Sequence, residues 1–139
     1  MLQRFVSGSA IAGLTIACAV FGLIAATPMF ALQKPYLLPL TWCFMPVVWG
    51  VWAMLTPRSW MPNRLPLWGA ILGLLLSLNA AFVLNMPKQV FGDYMRIRWR
   101  LAGVIGISIG YYLLWMIVRL VYRALTPAEP VHKEFKAAA

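Results

Sequence analysis

The chain has 139 residues, 63% of them hydrophobic and 11% charged, with 12 Lys and Arg against three acidic residues for a formal charge of +9. That balance excludes an ordinary soluble domain. The basic residues sit beside long apolar runs, where snorkelling and attraction to anionic headgroups explain them better than nucleic-acid binding does.

Four apolar runs, at residues 5–27, 37–55, 65–84 and 101–121, dominate the sequence. Each approaches or exceeds the ~20 residues a helix needs to cross the hydrocarbon layer. None contains an acidic residue or a histidine. Residues 1–122 are therefore expected to form one all-α integral membrane domain, a compact bundle of four transmembrane helices with short loops. Residues 123–139, polar and carrying Pro127 and Pro130, are expected to be a flexible basic tail.

The first run follows Arg4 and is longer than a signal-peptide core, so it reads as an uncleaved anchor. Ser9, Gly13 and Ala17 give it a weak small-residue seam. In the second run Trp42, Met45, Trp49 and Trp52 fall at helical spacing on one broad face, with Pro39 and Pro46 beside them. Pro46 predicts a kink. The tryptophans are candidates for an aromatic face able to stack a flat apolar ligand. The blander readings are lipid-facing bulk or contact with a larger subunit.

The third run places Gly69, Gly73, Ser77 and Ala81 four residues apart, and the fourth does the same with Ala102, Gly106 and Gly110. Such spacing puts small side chains on one helical face and lets backbones approach closely. The simplest expectation is a tight hairpin in which Gly73 and Gly106 both lie in helix contacts. The sharper one makes a stripe the seam to another protein. Asn79 is the most polar deep side chain, with Thr41 or Ser108 as expected hydrogen-bond partners, and Asn85 followed by Pro87 reads as a helix end.

Between the third and fourth runs stands Arg96-Ile97-Arg98-Trp99-Arg100. Guanidinium binds phosphate and carboxylate bidentately, so Arg96, Arg98 and Arg100 are the candidate contacts for lipid headgroups or a partner protein. The plain reading is a collar at the mouth of the fourth helix.

With four spans, one side carries seven basic residues (Arg4, Arg58, Arg64, Arg119, Arg123, Lys133, Lys136) and the other five (Lys34, Lys88, Arg96, Arg98, Arg100). The positive-inside rule thus favours both termini in the cytoplasm, with the bacterial inner membrane as the expected location.

Catalysis, metal binding and cofactor ligation have little to work with. Intramembrane acids, histidines and paired loop cysteines are missing, Cys18 and Cys43 lie mid-span, and His132 is in the tail. No enzyme, metal or cofactor is expected. The chemistry of proton-coupled drug exporters, disulfide-forming membrane enzymes and haem-binding anchors is absent for the same reasons. Two readings remain: a non-catalytic accessory or assembly subunit of a larger membrane complex, or a small homo-oligomeric carrier or channel for an apolar or lipid-linked substrate. Expected partners are the anionic bilayer surface and a larger membrane protein or a second copy, with no nucleic acid.

Overall fold

The computed structural model describes residues 1–26, 36–91 and 96–126. Lys34, Asp93, His132, Lys133, Lys136 and the tail beyond Thr126 lie outside them. The described residues are mostly helical, with no strand: α1 (Leu2–Ala26), α2 (Leu37–Trp42), α3 (Met45–Met54), a 3-10 turn (Arg58–Trp60), α4 (Leu65–Leu78) continuing as a π-helical segment (Asn79–Val83), α5 (Met86–Phe91) and α6 (Ile97–Leu125). Four stretches are long and apolar enough to cross a membrane: Leu2–Ala25, Leu37–Met54, Leu65–Val83 and Ile97–Leu125. This is an all-α membrane bundle.

Its boundaries depart from expectation in four places, each with a local cause. The second span is broken rather than kinked, with α2 ending at Trp42 and α3 beginning at Met45. Pro46 has no N–H for the Trp42 carbonyl and its ring crowds that oxygen, so it sits in the first turn of a new helix. The third span leaves α geometry at Asn79, where Leu84 N–H reaches the Asn79 carbonyl at 2.9 Å. Asn85 then turns the chain with φ of 48°, a left-handed conformation Asn tolerates better than most residues. The stretch taken as a loop folds into α5, whose Val90 is 1% exposed. Finally, α6 is 29 residues long; it takes in Arg98 and Arg100 at its start and Arg123 at its end, so the expected tail begins too early.

The bundle is held together where small residues receive aromatic ones. Gly69 on α4 abuts the Trp115 ring of α6, and a Cβ on Gly73 would stand 2.6 Å from Tyr111 Cβ. Ser77 and Ala81 continue this buried line. The face of α6 turned to α4 is therefore Val104, Tyr111, Trp115 and Val118, not the small residues. The third and fourth spans pair as expected, and Gly73 lies in their seam. Gly106 and Gly110, however, have open space where a Cβ would be, and Ala102 is exposed, so the expected contact at Gly106 does not occur. Tyr111 and Trp115 fill the α4 groove, and two glycine faces cannot both meet across a gap already filled by rings.

The seam of α1 is likewise shifted. A Cβ on Gly8 would lie 2.7 Å from the Trp49 carbonyl oxygen of α3, while Ser9 donates to the Pro46 carbonyl at 2.8 Å. Gly50 answers from α3, packed on Phe5 and Ser9. Gly13 faces open space and Ala17 is exposed, so the contact runs through Gly8, Ser9 and Ala12. The α3–α4 pair closes with a reciprocal clasp: Trp52 Nε1 donates to the Trp68 carbonyl at 2.9 Å and Trp68 Nε1 to the Trp52 carbonyl at 3.0 Å, with the rings stacked 4.8 Å apart.

One end of the bundle gathers the N-terminus, the 55–64 connection and the end of α6. Gln3 Nε2 donates to the Leu125 carbonyl, Arg4 to the Thr56 carbonyl and Arg123 to Asn63 Oδ1. The four-span connectivity places Ser59 at that end and Gln89 at the other, so single cysteines at these sites should label from opposite sides of intact vesicles. Labelling of both from the same side would contradict the arrangement. Gly73→Leu should cost about 1–3 kcal/mol through overpacking and lower folded yield, whereas Gly106→Leu should fold within about 0.5 kcal/mol of the parent. Equal thermal stabilities in detergent would mean that Gly73 faces lipid.

Candidate functional site

Toward the opposite end, the helices leave an open cleft of about 520 Å³ between them. That lies within the ~300–1,000 Å³ common for small-molecule sites. Every span contributes to the wall. Ala12, Thr15, Ile16 and Ala19 come from α1; Leu38, Thr41, Trp42, Met45 and Trp49 come from the broken second span. Leu76 and Ser77 come from α4, Asn79, Ala80, Ala81 and Leu84 from the π-helical segment and its end, and Met86, Pro87 and Val90 from α5. From α6 come Trp99, Arg100, Gly103, Val104, Ile107, Tyr111 and Leu114.

Both helix irregularities lie on this wall. The break after Trp42 and the π-helical turn after Leu78 are where two spans depart from regular α geometry. π-bulges recur at functional sites because they redirect side chains and free backbone from the regular ladder.

The wall is nearly all hydrocarbon, for a reason that the residue names conceal. Thr15, Thr41 and Ser77 each donate their hydroxyl to a carbonyl three or four residues back in their own helix, at 2.7, 2.9 and 3.1 Å. Their polarity is spent internally. The expected partnership of Asn79 with Thr41 or Ser108 is not formed; Ser108, like Thr41, donates within its own helix, to the Val104 carbonyl at 2.8 Å. Asn79 instead lines the cleft.

At the deep end, Trp49 is 2% exposed and closes the floor. Its ring lies 5.0 Å from Tyr111 and 5.7 Å from Trp115, both tilted. Its indole N–H donates to the Tyr111 hydroxyl at 3.4 Å, which in turn donates to Met45 Sδ at 3.9 Å. Trp115 is fully buried beneath, with an indole N–H that meets no acceptor among the described residues.

The expected aromatic face is thus divided. Trp42 and Trp49 line the cleft, whereas Trp52 is taken up by its clasp with Trp68. The arginine cluster is divided too. Arg96 caps α6 and is exposed, Arg98 is exposed, and Arg100 lines the cleft, donating to the Ala81 carbonyl at 3.5 Å. Arg100 is the one charged residue of the wall among the described residues. Nineteen helical steps separate it from Arg119, about 28 Å at ~1.5 Å per residue, which matches the ~30 Å hydrocarbon thickness. A hydrocarbon layer fitted between these two arginines would put Arg100 at headgroup level and Trp49 and Tyr111 well inside.

Sequence reading missed α5 and the participation of α1, and only Val90 and Pro87 hinted at the former. No protein-family model matches this chain, and no curated protein or solved structure matches it.

Trp49→Phe, which keeps a six-membered ring but loses the indole N–H and its fused five-membered ring, should lower stability by about 1–2 kcal/mol. Trp49→Ala should cost about 3–5 kcal/mol. Thermal unfolding in detergent separates the two, and equal small losses would place Trp49 outside the packed floor.

Proposed function

We propose that this is a non-catalytic membrane protein that holds an apolar or lipid-linked molecule in the cleft between its four spans, as a small carrier or binding protein. The observation that carries this reading is the cleft itself, walled by hydrocarbon from every span and floored by Trp49 and Tyr111. The described residues contain no Asp, Glu or His, so the wall suits retention of a ligand rather than acid–base chemistry on it. The basic residues distribute seven to five across the two sides, which favours the bacterial cytoplasmic membrane with both termini inside.

A second reading, an accessory subunit of a larger complex, is favoured by a different feature. Ala102, Gly106 and Gly110 lie on the side of α6 away from its core face, and both glycines have room for another backbone. Small outward stripes are where membrane helices approach closely.

Two glycines of α6, three residues apart, separate the readings. Gly103 lines the cleft with open space at its Cβ position, and Gly106 is equally open but outside the cleft. Leu at Gly103 should fill the cleft and abolish retention of co-purifying lipid in native mass spectrometry, with folding intact. Leu at Gly106 should leave retention unchanged. Loss of a stoichiometric larger protein with Gly106→Leu, and no retained lipid in the parent, would favour the accessory subunit instead.

A further inference from the structure

The cleft has direction. Along α6 its wall runs from Trp99 to Leu114, fifteen helical steps or about 22 Å. That is about three-quarters of the ~30 Å hydrocarbon layer, so the wall runs from the headgroup level inward past the midplane. Its outer end carries Arg100 and its inner end carries the rings of Trp49 and Tyr111. Between them, the hydroxyls of Thr15, Thr41 and Ser77 are turned back onto their own helices.

The charge at the outer end is one-sided. Residues 85–100 hold Lys88, Arg96, Arg98 and Arg100 against Asp93 alone, four positive charges less one negative, or +3. The surrounding field is positive whichever cation Asp93 accompanies. A guanidinium offers N–H donors in a planar fork that fits phosphate, and near a low-dielectric wall such a contact is screened less than one in open water.

We infer, building on the cleft reading above, that the ligand is an anionic amphiphile, its phosphate head at Arg100 and its hydrocarbon tail along the cleft toward Trp49. Arg100 is then the selecting residue of the cluster. Arg96 at the N-cap and Arg98 in the first turn of α6 are exposed and do not line the cleft, so they contribute field but no contact.

The test uses the full chain in an uncharged detergent with two probes that share one oleoyl tail: monooleoyl glycerol phosphate and monoolein. Inorganic phosphate serves as the third probe. Occupancy read by native mass spectrometry should favour the phosphate lipid over monoolein by about tenfold, equivalent to about 1.4 kcal/mol. Arg100→Gln should bring the two lipids to equal occupancy without losing monoolein, whereas Arg98→Gln should keep the preference. Should Arg100→Gln fold poorly, Arg100→Lys supplies the same comparison, with the preference reduced as the fork is lost.

Equal occupancy by both lipids in the parent protein would overturn the charge selection and leave the apolar cleft standing. Retention of neither lipid would overturn the cleft reading as well. Competition by inorganic phosphate alone, with no dependence on the tail, would make the arginines a free-anion site and would also overturn the inference.

Discussion

Two aromatic rings of α6 occupy the space left by two missing Cβ atoms of α4, and the rest of the bundle is arranged around that insertion. Gly69 admits Trp115 and Gly73 admits Tyr111. In lipid no hydrophobic force presses helices together, so close packing and hydrogen bonds carry the association. Large rings against glycine maximise the first. Trp49 then closes on both rings, which fixes α3, and α3 fixes α1 through Gly8, Ser9 and Gly50. Each glycine here serves by having no side chain.

The same tight packing explains why the other half of the bundle stands open. The second span cannot continue as a regular helix through Pro46, and the third changes pitch at Asn79. Small residues, among them Ala12, Ala80 and Gly103, stand in the walls between the larger side chains. Clamped at Trp115 and interrupted farther along, the helices leave a cleft that their own side chains do not fill. An unfilled apolar cavity forfeits dispersion contacts, which a hydrocarbon tail restores. The arginines at the outer end give that tail a preferred head.

Much of the fold was legible because apolar length is a direct physical requirement of the bilayer. All four spans follow from it, as does the small-residue stripe of α4 from its spacing. What the stripe receives was not legible. Spacing identifies a face but not its partner, and the matching stripe on α6 put Gly106 into the expected contact where Tyr111 and Trp115 stand instead. Pro46 announced a disturbance, yet whether it bends a helix or divides it depends on neighbours distant in sequence. The π-helical turn has no signal in Asn79–Val83 that sequence reasoning could use. Of the candidate site, Trp42, Trp49 and Arg100 were singled out early but for separate reasons, and only the packing brings them to one cleft. Trp52 shared their periodicity and belongs elsewhere.

The account rests on the cleft being occupied by a lipid tail rather than closed by side chains in the membrane. The direct measurement is a crystal structure of the protein grown in a lipid whose acyl chain carries bromine, with the halogen located by anomalous scattering. A bromine peak inside the cleft, bounded by Trp42, Gly103 and Ile107, is the result the account predicts. Bromine confined to the outer belt of the bundle, with α2 packed directly on α6, would contradict it.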